Sequence, residues 1–160
     1  MAEIYTIYVF TASTVDYAEP IVDYLNEKKK TIHGVLHRRN CMETHNGFYI
    51  KDLRIIKNRE LKDIIIVDNL VHSFGLQLDN GIPILEYLKG KDDIELYGLE
   101  KMLVELCDVD DVRTHIRKKL QIRDILETNE EEFLNFEEER RHRTYKIWWF
   151  TLYFYYLHII

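Results

Sequence analysis

Cysteine is scarce in this chain: Cys41 and Cys107 are its two, and they stand far apart. That excludes a disulfide scaffold and offers no zinc-site spacing. Two free thiols fit a reduced intracellular compartment. Positive charge is not in excess either. A net charge of -6 argues against general affinity for nucleic acid, because phosphate backbones are held by clustered Lys and Arg. The seven histidines form no His-x-x-x-His pair on a plausible helix, so a dedicated histidine metal site is not expected. The opening Met1-Ala2-Glu3-Ile4-Tyr5 has no basic region before an apolar core, and neither a secretory signal nor an Arg-rich transit peptide is expected. The apolar run at residues 147–160 is short, by about two turns, of the roughly 20 residues that a spanning helix needs. No internal repeat is evident.

What is present describes a folded protein. The 160 residues suffice for about one domain, and 46% hydrophobic with 31% charged residues is a globular composition. Residues 4–10 are rich in β-branched and aromatic side chains and read as a mostly buried strand. Ser13 or Thr14 can cap a following helix, with Asp16 in its first turn. Val15, Ala18, Ile21 or Val22, and Leu25 recur at helical spacing, and Lys28-Lys29-Lys30 complements the helix end. Residues 34–37 suggest a short strand, and Asn46-Gly47 a tight turn into Phe48-Tyr49-Ile50. Residues 64–67 are four aliphatics without alternation, as a strand of a parallel sheet requires. Asn80-Gly81 turns into the edge-like Ile82-Pro83-Ile84. Downstream, Ile94, Tyr97, Met102, Leu103 and Leu106 predict one amphipathic helix, weakened by Gly98, and Val112, Ile116 and Leu120 a second. Strand-helix-strand alternation followed by helices predicts an α/β layer fold with a mostly parallel sheet.

The last part of the chain differs in kind. Residues 127–146 run from a glutamate-rich stretch into Arg140, Arg141, His142 and Arg143, a polarised segment. Residues 147–160 are nearly all aromatic and aliphatic. After a basic cluster, that aromatic face is suited to a lipid surface, and its β-prone composition also permits a strand. The expected division is therefore a domain at 1–126, a charged segment at 127–146 and an apolar tail at 147–160.

Three groups able to handle phosphate or metal sit at or just beyond the ends of short apolar runs. Thr11 follows Val9-Phe10, and its hydroxyl with nearby backbone N–H groups can hold phosphate oxygens. Lys51 follows Tyr49-Ile50 and brings a compact cation on a long stem. Asp68 and Asn69 follow residues 64–67 and offer hard oxygens suited to Mg²⁺. Taken singly, each is more often a turn or surface feature. Asp108-Val109-Asp110 spells Asp-x-Asp but follows an amphipathic helix and has no Thr two residues on, so it is not expected to be catalytic. Cys41, near Arg38 and Arg39, reads as a structural thiol.

Order and flanks carry more than any one residue. Phe10-Thr11-Ala12-Ser13 with Tyr17-Ala18-Glu19-Pro20, then Leu36-His37-Arg38-Arg39-Asn40-Cys41, Lys51-Asp52-Leu53, Val67-Asp68-Asn69 and Asp79-Asn80-Gly81-Ile82-Pro83-Ile84 together resemble the small carboxy-terminal-domain phosphatases. This is the NLI-interacting-factor-like family of the haloacid dehalogenase superfamily, and the resemblance runs from about Ile4 to Leu120. It implies a Rossmann-like parallel sheet, an aspartyl-phosphate mechanism with Mg²⁺, and a phosphoserine protein or peptide as substrate. By position it implies that Thr11 and Lys51 contact the phosphoryl group and that Asn69 ligates Mg²⁺ with Asp68 in support. Tyr17 and Arg38 would touch the phosphopeptide.

Two differences accompany the resemblance. The family follows Asp-Asn with Ser-Pro, where Leu70-Val71 stand here. Its nucleophile lies in an Asp-x-Asp-x-Thr segment upstream of the Phe-Thr-Ala-Ser turn, and these 160 residues contain none. The expectation is an amino-terminally truncated domain that lacks its first strand and is inactive alone, with an unfilled place between residues 4–10 and 64–67. A nuclear or cytoplasmic location follows from this reading. The alternative is a non-enzymatic binding module, such as the related receptor subunit of the mitochondrial inner-membrane presequence translocase.

Overall fold

The computed structural model describes residues 1–87 and 93–128. Most of the polarised segment and the whole tail at 147–160 lie outside the described residues. The first strand, β1 (Ile7–Phe10), is shorter than the apolar run predicts. Its start is displaced because the amides of Ile4 and Tyr5 turn back onto the carbonyl of Met1. Helix α1 (Val15–Asn26) follows, with extended Thr14 at its cap position and no capping bond from that side chain. Ala18 and Val22 are its buried residues. Its exit is held by Asn26. The Asn26 amide donates to the Ile32 carbonyl at 2.9 Å, and its oxygen accepts from the amides of Thr31 and Ile32. Strand β2 (Ile32–Leu36) then lies parallel to β1, with Phe10 opposite Leu36.

A small antiparallel hairpin pairs β3 (Met42–Glu43) with β4 (Tyr49–Ile50). Gly47 at φ 75° supplies the left-handed residue of its turn. Strand β5 (Ile66–Asp68) leads into a kinked 3-10 segment, Val71–Asn80, and then into β6 (Gly81–Pro83), parallel to β5. Phe74 of that segment is fully buried and explains why position 81 is glycine. A Cβ there would overlap the Phe74 ring. Asn80 is buried as well, and its amide reaches the carbonyls of Leu61 and Ile64, the latter at 2.7 Å.

Helices α2 (Glu95–Leu106), α3 (Val112–Leu120) and α4 (Ile122–Thr128) complete the described chain. Asp111 caps α3 by accepting from the Arg113 amide. The run at 64–67 separates two apolar clusters. Ile65 and Val67 pack with Ile82, Met102, Leu106, Val112 and Ile116. Ile64 and Ile66 pack with Leu53, Phe74 and Ile122. Successive side chains of a strand point to opposite faces, and both faces are covered here, which is why the run shows no alternation. On α2 the expected apolar stripe is only partly inward. Met102 and Leu106 are buried, whereas Ile94 and Tyr97 are exposed, at 72% and 74%.

The fold is α/β with parallel pairs, as the sequence predicts. Residues 4–10 and 64–67, between which an unfilled place is expected, contribute to separate ladders. The described strands form three separate two-stranded ladders, β1 with β2, β3 with β4 and β5 with β6. β1 and β5 are each paired on one side only. A cleft of about 1440 Å³ is lined by Ile7 and Tyr8 from one and Ile65 and Val67 from around the other. Its lining is continued by Ile84, Leu96 and Leu103. Tyr5 joins the first strand's entrance to α2 through its hydroxyl, which donates to the Leu103 carbonyl at 2.7 Å.

Candidate active site

The turn after β1 is built from backbone contacts. The Thr11 amide extends the ladder by donating to the Leu36 carbonyl at 2.8 Å. The Thr11 hydroxyl oxygen accepts from the Ser13 amide at 3.1 Å, and both residues are buried. Arg38 latches this turn from the end of β2. Its amide donates to the Ser13 carbonyl, its Nε donates to the Ala12 carbonyl at 2.7 Å, and its guanidinium lies 5.2 Å from the centre of the Tyr49 ring. Such a cation over an aromatic face is held electrostatically. Arg38 therefore couples the Thr11 turn to the β3–β4 hairpin, while Tyr17 is half-buried in the first turn of α1.

Lys51 is brought in from the other side. Its own amide donates to the Ser73 carbonyl at 2.6 Å, and the following residues hold it there. Asp52 accepts from the Arg54 amide and from Gln77 Nε2, while Gln77 Oε1 accepts from the Leu53 amide at 3.0 Å. Leu53 fills the core. Lys-Asp-Leu is thus one device: a cation to the site, a cap for the next turn, and an apolar anchor.

The Lys51 ammonium donates to Asp68 Oδ2 at 2.7 Å, with side-chain exposures of 2% and 0%. The Ser73 hydroxyl donates to the same oxygen, and Asp68 Oδ1 accepts from the Leu70 amide at 2.8 Å. Burial lowers the Lys51 pKa from its ordinary value, and the neighbouring Asp68 carboxylate opposes that fall. Cys41 stands between the two halves of the site. Its Sγ donates toward the Thr11 carbonyl at 3.7 Å. Burial raises its pKa against the opposing charges of Lys51 and Arg38. A thiol held protonated is a weak nucleophile, so Cys41 serves as a structural bridge.

Asp68 has both oxygens engaged by the protein, and Asn69 lines the cleft. Mg²⁺ demands near-octahedral oxygen donors, usually including one or two carboxylates. No group of three or more His, Cys, Asp or Glu able to hold a metal occurs among the described residues. Asp68 orients Lys51 and the turn that carries Asn69. Asp108 and Asp110 are exposed between α2 and α3, where Val109 packs on the core.

Ser73, Gln77 and Asn80 were not singled out from the sequence as members of this framework. A lone Ser or Gln inside an irregular helix carries no signal until the turn places it. Asn80 had one, since it precedes the Gly81 of a turn motif.

The fold is α/β with parallel strand pairs, and at the end of β5 the buried Lys51–Asp68 pair lies beside the turn that carries Asn69. The family model for NLI interacting factor-like phosphatases matches residues 1–113, and the chain belongs to this family. It is similar to CTD small phosphatase-like protein 2 of Dictyostelium discoideum, 38% identical over 122 residues, 76% of this chain and 21% of that protein. A probable C-terminal domain small phosphatase of the same organism is 43% identical over 113 residues, 71% of this chain and 36% of that protein. The human carboxy-terminal domain RNA polymerase II polypeptide A small phosphatase 1 is 34% identical over 118 residues, 74% of this chain and 44% of that protein. The chain thus spans less than half the length of each of these relatives.

Proposed function

We propose that this chain is the phosphate-holding half of a protein serine/threonine phosphatase domain and does not turn over phosphomonoesters by itself. The observation that carries this is the Cys41 thiol, which donates toward the Thr11 carbonyl and feels the charges of Lys51 and Arg38. Phosphoryl transfer asks a protein mainly to position groups and to neutralise developing charge. Thr11, with the amides after it, is suited to phosphate oxygens, and Lys51 supplies the cation. None of these groups is a nucleophile toward phosphorus, and Asp68 is committed to Lys51, Ser73 and the Leu70 amide. The missing chemistry is one carboxylate to attack phosphorus and another for acid-base work.

In this reading, those carboxylates enter on an Asp-x-Asp-x-Thr strand seated between β1 and β5, each of which has one ladder partner among the described residues. Mg²⁺ would be held by Asn69 together with the same incoming carboxylates and the substrate. When bound it would neutralise phosphate charge. Arg38 and Tyr17 would face a phosphoserine protein or peptide. A nuclear or cytoplasmic setting suits this substrate class, and relatives named as RNA polymerase II phosphatases and as nuclear envelope morphology protein 1 of Schizosaccharomyces pombe support it.

The test is p-nitrophenyl phosphate hydrolysis with Mg²⁺ by three proteins: this chain, its Lys51→Ala variant, and a fusion carrying an Asp-x-Asp-x-Thr strand upstream. Loss of a nucleophile in a comparable covalent mechanism lowers turnover by about a million-fold. Only the fusion should turn over. Turnover by the bare chain that Lys51→Ala removes would overturn the proposal. Phosphopeptide binding by the chain with a silent fusion would favour a non-enzymatic binding module instead.

A further inference from the structure

We infer that the cleft between β1 and β5 is a strand-accepting groove and that its occupant in this chain is the tail at residues 147–160. The inference rests on the geometry of the gap, independently of any phosphatase activity. β1 and β5 each keep one edge without a ladder partner among the described residues, and both contribute to the lining of the same cleft. Unpaired strand edges are templates for another strand. The rim is apolar to an unusual degree for surface. Ile4, Tyr8, Leu25, Leu85, Leu96 and Tyr97 are all exposed and all line it, with exposures from 37% to 74%. Exposed apolar groups gathered in this way mark a contact surface.

The tail matches this seat in composition. Residues 147–160 read Ile-Trp-Trp-Phe-Thr-Leu-Tyr-Phe-Tyr-Tyr-Leu-His-Ile-Ile, without one Asp, Glu, Lys or Arg. A central strand of a parallel layer is covered on both faces and wants a continuous apolar, β-prone run. Typical strands use about 5–6 residues, so the tail is more than long enough. Reach is not limiting. α4 ends at Thr128, and residues 129–146 can extend to about 60 Å at roughly 3.3 Å per residue. A tail seated here completes the sheet yet brings no carboxylate, so it would occupy the place of a nucleophile strand without replacing its chemistry.

Both tryptophans of the chain, Trp148 and Trp149, are in the tail, so tryptophan fluorescence of the full chain reports on it alone. The expected result is blue-shifted emission from a monomer, with weak acrylamide quenching. Tyr8→Glu and Leu96→Glu place a charge on exposed cleft positions. Each should red-shift emission and raise quenching several-fold. Tyr24→Glu, also exposed but outside the cleft lining, should do neither. Hydrogen exchange gives a second readout: the amides of Ile7–Phe10 and Ile66–Asp68 should be protected in the full chain and exchange several-fold faster in Leu96→Glu. Emission unaffected by the cleft variants overturns the inference. So does a blue shift that appears only in a concentration-dependent dimer, which would make a second copy the occupant. A blue shift only with phosphatidylcholine–phosphatidylserine vesicles also overturns it, in favour of a lipid surface.

Discussion

Lys51 Nζ lies 2.7 Å from Asp68 Oδ2 with both side chains shut off from solvent. This pair joins the hairpin side of the site to the end of β5. A buried pair is costly to desolvate, but breaking it is worse, because one charge then remains buried and uncompensated.

Asp68→Ala should therefore lower stability by about 3–5 kcal/mol, measured by urea unfolding followed by circular dichroism. Replacing both partners at once, with Lys51→Met and Asp68→Ala, should cost less than Asp68→Ala alone. A double variant less stable than the single one would show that the pair's worth lies in packing and in the Ser73 and Leu70 bonds.

Gly81→Ala should destabilise by about 1–3 kcal/mol, the usual cost of overpacking a core, since its Cβ would meet the Phe74 ring. Combining it with Phe74→Leu should be less than additive, because the two sites are in contact. Thermal melts of the four proteins close the cycle, and strict additivity would refute the clash.

Tyr5 supplies a pH dependence. Burial first, then the nearby Cys107 and Asp108, raises its pKa from 10.0 to about 12. The folded state thus holds the phenol proton more tightly than the unfolded state does. Its contribution is fully present below pH 10.0 and is lost as pH rises toward about 12. The wild-type melting temperature should fall across that window more steeply than that of Tyr5→Phe. Parallel curves would show that burial does not shift the Tyr5 phenol.

Arg38 should act on the Thr11 turn through position. In the strand-fused protein, Arg38→Met removes the Nε bond to the Ala12 carbonyl and should raise KM for p-nitrophenyl phosphate. Arg38→Lys keeps the charge but not the planar donor, and should rescue little. Full rescue by lysine would mean that charge alone matters.

Much of this site was legible because its residues terminate apolar runs. Thr11 and Asp68 could be picked out in that way, and the Phe-Thr-Ala-Ser and Val-Asp-Asn contexts tied them to one family. The helices downstream were legible from period, with α3 recovered at its three apolar positions. α2 was misjudged at Ile94 and Tyr97, whose hydrophobicity implied burial. Periodicity states which residues share a face, but only the neighbouring layer decides whether that face is covered, and here it borders an open cleft. Strand pairing has the same limit. Apolar character marks a strand, whereas its ladder partner depends on which other strand is there to pair.

By itself, then, the sequence determined the family, the main parallel strands and the helices α1 to α3, and it put hydroxyl, ammonium and carboxylate side chains at the strand ends. These follow from local preference and spacing, which a linear chain displays directly. Tertiary structure alone decided that Asp68 spends its carboxylate on Lys51, Ser73 and the Leu70 amide. It also decided that Cys41 bridges the Thr11 turn, and that β1 and β5, each with one ladder partner among the described residues, line one cleft. Hydrogen bonds between residues 17 or 30 positions apart are set by how layers pack, and no local pattern records them.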